Sequence, residues 1–250
     1  MQSSTPRSSS LSPDGAALAG EPLVDVFRGA RLESRHHVAA CAVDARGTVL
    51  FRLGTVDVPV FLRSSAKPFI AGAVVRGGAA DAFGFDARDL ALISASHGGE
   101  PGHIEGVRAI LRKAGVEESA LRCGAHPPLH EPSAQALSAR CEQPTAIHNN
   151  CSGKHAGILA LAKHLGADLA TYLEAGNPAQ REILALCERV VGERFEGDRL
   201  AVDGCGIPVF ATTLRNAAHA FARFATLDEL DARDAEALRR VREAMIARAW

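Results

Sequence analysis

The apolar spacing of this chain changes period once, and that change limits the fold more than any other feature. Between residues 23 and 62 apolar side chains alternate, as half-buried strands require; from Ala66 onward they recur at helical spacing almost to the end. A helical pattern does not sit well in a strand, nor the reverse, so strands come first and helices after. Leu23–Arg28 reads as a strand, His37–Val43 with Thr48–Leu53 as a hairpin, and Val58–Leu62 as a continuation of the sheet. The hairpin turn, Asp44-Ala-Arg-Gly47, has Asp first and Gly last, which suits a type I turn. Phe69, Ala73 and Val74 open the helical region on one face, and helices are expected over 102–113, 133–140, 153–165, 178–191, 212–224 and 231–249. Leu90–Ile93 and Leu200–Val202 read as short buried strands, the second running into the tight loop Asp203-Gly-Cys-Gly206. The fold class is α/β, a mixed sheet with helices. One domain spans 22–250 behind a tail, 1–21, that is rich in Ser, Pro, Gly and Ala and reads as disordered.

Of 250 residues, 47% are hydrophobic and 23% charged, enough for a core and too apolar for a disordered chain. A formal net charge of −1 argues against nucleic acid or an anionic membrane surface as the main partner. No apolar run approaches the roughly 20 residues of a membrane helix. No apolar stretch follows Arg7 to make a signal peptide. Six scattered cysteines in a chain this large favour a reduced, cytoplasmic compartment.

The basic residues are 24 Arg and 4 Lys. A chain so biased keeps lysine where arginine cannot serve, because lysine can give up its proton and act as base, nucleophile or ligand. Lys113 and Lys163 each sit shortly before a glycine and read as last-turn cations against a helix C-terminal dipole. Lys67, in R-S-S-A-K-P (63–68), and Lys154, in N-N-C-S-G-K-H (149–155), have no such explanation.

Ser64 and Lys67 form S-x-x-K, and on a helix residues three apart share a face, which lets hydroxyl and amine touch. Serine alone is a weak nucleophile, but a buried, partly neutral lysine can take its proton. Arg63 and the helix N-terminus both push that amine toward neutrality. Serine β-lactamases and penicillin-binding proteins use this spacing; an N-capping serine ahead of an ordinary helix also explains it. In S-A-S-H-G-G-E (94–100), Ser96 or His97 would supply a hydroxyl, a proton relay or an oxyanion donor, or the glycines simply turn the chain. Cys151 and Lys154, with Cys205 in D-G-C-G-I-P (203–208), would offer two thiolates and an amine to a borderline-soft ion such as zinc. Without C-x-x-C pairs, two buried structural cysteines are the plainer account.

Taken in order, R-S-S-A-K-P, S-A-S-H-G-G-E, R-C-G-A-H-P (122–127), N-C-S-G-K-H and D-G-C-G-I-P resemble the rhizobial-type, thermolabile L-asparaginase II family over about residues 22–250. The resemblance implies a serine β-lactamase/glutaminase-like fold. It implies an amidohydrolase converting L-asparagine to L-aspartate and ammonia through a Ser-Lys nucleophile and a β-aspartyl ester, in a homodimer. Carried over by motif, Ser64 is the nucleophile, Lys67 its partner, and Ser96 the serine of a second Ser-Lys pair. Cys151, Lys154 and Cys205 match ligands of a zinc that supports substrate binding. Arg63, His97, His155 and Asp203 fall around the substrate. Two positions depart from relatives, which often carry a serine after His97, where this chain has Gly98-Gly99, and a more polar residue in place of Gly206.

Relatives also continue past the position of Trp250, with a lysine that pairs with the residue matching Ser96. No lysine follows Lys163, so the chain reads either as lacking its C-terminal part or as using Lys67 for both serines. The first of these implies low stability and weak activity. The final helix puts Leu238, Val241 and Met245 on one face, which should pack against something; left exposed with Trp250, that stripe is an aggregation hazard or a dimerisation surface. Two other readings share part of the pattern. One is a β-lactam or peptide hydrolase of the S-x-x-K type, for which the S-D-N and K-T-G elements are absent. The other is a non-catalytic zinc-binding module or inactive fragment.

Overall fold

A computed structural model describes residues 21–248. Of the expected tail only Glu21 lies among them, and it begins a strand; Trp250 lies outside. β1 (Glu21–Arg28) pairs antiparallel with β2 (Arg31–Val38), and β3 (Ala40–Val43) with β4 (Val49–Leu53). His37 therefore belongs to β2 and not to the second hairpin. That hairpin closes on the expected turn: Gly47 N–H donates to Asp44 O at 3.0 Å, and the Asp44 carboxylate accepts from the N–H of Arg46 and Thr48 at 2.9 and 2.8 Å. β5 (Pro59–Phe61) does not extend it. Instead β5 joins β6 (Leu200–Val202) and β7 (Pro208–Thr213) in the order β5-β7-β6. The described strands make three small antiparallel sheets where one mixed sheet was expected. β7 is buried along most of its length, so its sequence lacks the alternation that marks a half-exposed strand, and its end reads as helix.

The helices are α1 (Lys67–Arg76), α2 (Ala79–Ala82), α3 (Ala87–Ile93), α4 (Pro101–Ala114), α5 (Glu131–Ala139), α6 (Ser152–His164), α7 (Pro178–Val191), α8 (Leu214–Thr226) and α9 (Ala232–Ala247). Asn177 and Asp231 accept backbone N–H groups at the starts of α7 and α9, and Gly115 and Gly192 end α4 and α7 in the left-handed region. Lys163 donates to Gly115 O at 2.6 Å, a cation at the end of α4, whereas Lys113 pairs with Asp86 and Asp89 of the α3 start. α3 replaces the strand expected at Leu90–Ile93. Asp86 accepts from the N–H of Arg88 and Asp89 while Asp89 accepts from that of Asp86, a reciprocal cap that starts a helix. A four-residue apolar run is too short to set a period against it.

One buried cluster runs from Ala66 to Ala244. α6 lies deep in it, buried at every position from Ser152 to Ala162, so the helix has no solvent-facing side there. Two glycines let α3 close onto α6: a Cβ at Gly153 would stand 2.7 Å from Leu92 O, and one at Gly157 would stand 2.8 Å from Ile93 Cγ2. The apolar stripe of α9 is covered. Leu238 and Val241 are fully buried, with α9 packed on α1 and α3, and Met245 is partly covered. On the same helix the buried Asp234 accepts from Arg76 of α1 and from Arg189 of α7, the latter at 2.6 and 3.0 Å. The first hairpin stands apart from this packing, with Phe27 more than half exposed; the second rests β3 on α8 and leaves Leu50 and Phe51 of β4 more than half exposed. Among the described residues no helix is long and apolar enough to cross a membrane.

Candidate active site

The close approach of α3 to α6 sets the end of one helix beside the start of the other, and the first residue of α1 reaches in between. Lys67 is 1% exposed. Its Nζ donates to Ser96 Oγ at 2.6 Å and to Ala95 O at 2.9 Å, and Asn150 O lies at 3.5 Å. Burial pushes the Lys67 amine below the ordinary lysine range; Cys151 opposes that shift and Lys154 adds to it. Ser64 takes no part in the contact. It lies exposed in the 3₁₀ turn Arg63–Ala66, where its carbonyl accepts from the Lys67 backbone N–H, and among the described residues no hydrogen bond joins its hydroxyl to the Lys67 amine. The spacing of three does not bring the two together because the amine turns inward to Ser96 and two carbonyls.

The same turn carries Arg63 at φ +46°, a left-handed conformation uncommon for a non-glycine residue. Arg63 Nε donates to Asp203 Oδ1 at 2.8 Å. Burial raises the Asp203 carboxyl, but the Arg63 bond, the Gly204 N–H and the charges of Arg63 and Lys154 together hold the group below its usual value. Asp203 sits on a tight loop closed by Asp203 N–H to Ile207 O at 2.9 Å and Gly206 N–H to Asp203 O at 2.8 Å. Gly206 has φ +91°, and Gly99 has φ +78° with Pro128 only 2.9 Å from where a Cβ would stand. Gly206 and Gly99 thus sit where the backbone itself calls for glycine, whereas Gly98, directly after His97, does not.

The loop presents Cys205 to the start of α6. Lys154 Nζ donates to Cys205 Sγ at 3.0 Å. The neighbouring Cys205 sulfur, together with Lys154 and Lys67, holds the Cys151 thiol down to about 5 despite burial. Cys123, dominated by burial, is pushed up to about 11. Cys151, Lys154 and Cys205 converge, and two sulfurs with an amine suit zinc chemically. Among the described residues no group of three or more His, Cys, Asp and Glu could hold an ion, so an ion here needs the amine as its third ligand.

A family model for L-asparaginase II matches residues 24–250. The chain belongs to the L-asparaginase II family. No curated protein matches it. Membership supports an amidohydrolase acting on asparagine.

In this L-asparaginase II chain several expected site residues play supporting parts. His97 is 3% exposed. Gly99 N–H donates to its Nδ1 at 3.2 Å, so Nε2 carries the proton and donates to Ser152 Oγ at 2.9 Å; Ser152 in turn donates to Ile147 O at 2.8 Å. Burial, with His103 and Lys67 nearby, drives His97 down to about 3 and keeps it neutral. Both ring nitrogens are engaged, leaving none for a substrate. The R-C-G-A-H-P loop braces the N-N-C-S segment: Asn149 Nδ2 donates to Cys123 O at 2.9 Å, and Asn150 N–H donates to His126 Nε2 at 3.1 Å. Asn149 Oδ1 accepts from Cys151 N–H at 2.8 Å, a role signalled by the Asn pair before a helix start. Tyr172, which the motifs do not include, is fully buried and bonded to His155; a lone tyrosine in a chain of 250 residues is its only sequence cue. A cavity of about 580 Å³ opens between α4 and α5, lined by Arg108, His130, Arg140 and His148, and touches none of Lys67, Ser96, Cys151, Lys154 or Cys205.

Proposed function

We propose that this chain hydrolyses L-asparagine to L-aspartate and ammonia through a serine whose proton is managed by Lys67. The observation that carries this is the buried Lys67 amine, 2.6 Å from the Ser96 hydroxyl and three residues after Ser64. Ser64 Oγ, rotated inward, attacks the side-chain carboxamide and passes its proton to Lys67. Ser96 hands a proton from Lys67 to the departing nitrogen, ammonia leaves, and a β-aspartyl ester remains. Water cleaves the ester, with the same amine as base. Arg63, half of whose fork is held by Asp203, has guanidinium donors left for the substrate α-carboxylate, and the ionised Asp203 suits its α-ammonium. Cys151, Lys154 and Cys205 would hold a zinc ion, which when bound supplies a Lewis-acidic contact for a polar group of the substrate. A serine β-lactamase/glutaminase-like fold, a cytoplasmic location and a homodimer belong to the same proposal.

The Lys67–Ser96 contact also favours a second reading in which Ser96 is the nucleophile. Ammonia release by Ser64→Ala and Ser96→Ala variants separates the two, together with intact mass after reaction with an electrophilic asparagine analogue. Ser64→Ala is expected to abolish turnover and lose the adduct. Ser96→Ala is expected to fall by about 10²–10³-fold, within the range of proton-transfer effects, and to keep the adduct. An adduct on Ser96 in the unaltered chain makes Ser96 the nucleophile. Turnover of a chromogenic β-lactam in place of asparagine would move the assignment to the β-lactam hydrolases.

A further inference from the structure

The histidine of R-C-G-A-H-P has no part in the catalytic proposal, yet both of its ring nitrogens are committed at the edge of the site. His126 Nδ1 lies 2.7 Å from Pro127 O, and Asn150 N–H donates to His126 Nε2 at 3.1 Å. A carbonyl oxygen only accepts and a backbone amide only donates. Nδ1 therefore carries the hydrogen and Nε2 is bare. Asn150 Oδ1 also lies 3.3 Å from Nε2, but that carboxamide can turn and the backbone amide cannot, so the amide decides the tautomer. The other end of Asn150 faces the reacting groups. Its carbonyl accepts from His97 N–H at 3.1 Å and lies 3.5 Å from Lys67 Nζ. The Lys67 amine thus has three neighbours, the carbonyls of Ala95 and Asn150 and the Ser96 hydroxyl. A neutral amine has two hydrogens and one lone pair. Two carbonyls take the hydrogens, which leaves the lone pair to the hydroxyl, as a base requires. Ala95 adjoins Ser96 in the chain, whereas Asn150 comes from the segment before α6 and is held by its amide. The same loop also grips the residue before it, since Asn149 Nδ2 donates to the carbonyls of Cys123 and Gly124 at 2.9 and 3.2 Å.

We infer that His126 is a positioning residue: as its Nδ1–H tautomer it holds the Asn150 amide, and so keeps the Asn150 carbonyl against Lys67 with the amine lone pair aimed at Ser96. The inference rests on Lys67 managing the serine proton, as proposed above, and the placement of Asn150 is tested apart from the reaction. In ¹⁵N-labelled protein at pH 8, His126 is expected to appear as a single Nδ1–H form. Its Nε2 should show a coupling to the Asn150 amide nitrogen across the hydrogen bond. Two variants then divide the ring between them. His126→Gln brings a carboxamide oxygen to the place of Nε2 and keeps an acceptor for Asn150; His126→Asn reaches only the place of Nδ1 and loses it. The His97 amide, which donates to the Asn150 carbonyl, should shift in His126→Asn and hold its place in His126→Gln. In ammonia release His126→Asn should lose about 10–10²-fold in kcat with KM little changed, the scale of a small misplacement, and His126→Gln should recover most of it. His126→Ala takes the place of His126→Asn if circular dichroism shows that variant unfolded. An Nε2–H ring, a missing coupling, an unchanged kcat in His126→Asn, equal losses in the two variants, or a change confined to KM overturns the inference. A chain that releases no ammonia removes the asparaginase reading, and the coupling and the His97 shift then decide whether His126 holds Asn150.

Discussion

His97 shows how burial converts a residue with chemical potential into a structural one. Its two hydrogen bonds, from Gly99 and to Ser152, pin the turn that follows Ser96 against the start of α6. They are formed by the neutral ring only. The unfolded chain takes up a proton near pH 6.5, whereas the folded ring resists until about 3. The resulting stability is therefore fully present above about pH 6.5 and is lost as pH falls through that window. Melting temperature should drop across it. His97→Gln, whose amide can accept from Gly99 and donate to Ser152 without titrating, should melt close to the unaltered chain at pH 8 and decline less steeply below pH 6. Parallel declines would show that His97 does not contribute to acid sensitivity.

Among the elements, the α3–α6 crossing decides where the serine and lysine meet. Both glycines of α6 sit at helical positions where alanine would ordinarily stabilise by about 1 kcal/mol. Contact geometry reverses the sign at both. Gly153→Ala drives a methyl to 2.7 Å from the backbone oxygen of Leu92, which cannot rotate away. Gly157→Ala meets Cγ2 of Ile93 at 2.8 Å and its Cγ1 and Cδ1 at 3.0 Å, the branch of a fully buried side chain that is stiff in a helix. Denaturant unfolding should show both variants destabilised, by roughly 1–3 kcal/mol, the usual range for overpacking, with Gly153→Ala the worse of the two. Ammonia release should fall in Gly153→Ala as well, because the Leu92 it displaces lies four residues before Ser96. A stable, fully active Gly153→Ala would mean that the crossing relaxes at no cost.

For the molecule as a whole, the candidate metal ligands join α6 to the β6–β7 loop, parts of the chain about fifty residues apart in sequence. An ion bound there only in the folded state stabilises by mass action, about 2.7 kcal/mol at a hundredfold excess over its dissociation constant. For a chain of this size that is roughly 5–10 °C in melting temperature. Zinc should produce such a rise, Cys205→Ala should abolish it, and the rise should shrink as pH falls, because both thiols must lose protons to bind. Equal rises in Cys205→Ala and the unaltered chain would place any bound zinc elsewhere. The first N-terminal hairpin, with Val24 and Phe27 at least half exposed and β1 and β2 packed mainly on each other, is the least anchored part of the described chain.

What sequence alone determined is what depends on neighbours within a few positions. The Asp44–Gly47 turn, the caps at Asn177 and Asp231, the helix-ending Gly115 and Gly192, and the scarcity that marks Lys67 and Lys154 are all local, and so are the motifs that carry the family. The capping pair at Asp86 and Asp89 was equally local, and it would have corrected the strand expected at Leu90–Ile93. Tertiary structure decided the rest. The Lys67 amine meets the Ser96 hydroxyl across 29 positions and not the Ser64 hydroxyl across three. His97 spends both nitrogens on the scaffold, and Tyr172 enters beside His155 with no motif to announce it. The physical reason is common to all three. A side chain with several partners in reach bonds to the one that packing delivers, and here two hydrogen-sized gaps, at Gly153 and Gly157, settle which residues α3 brings to α6.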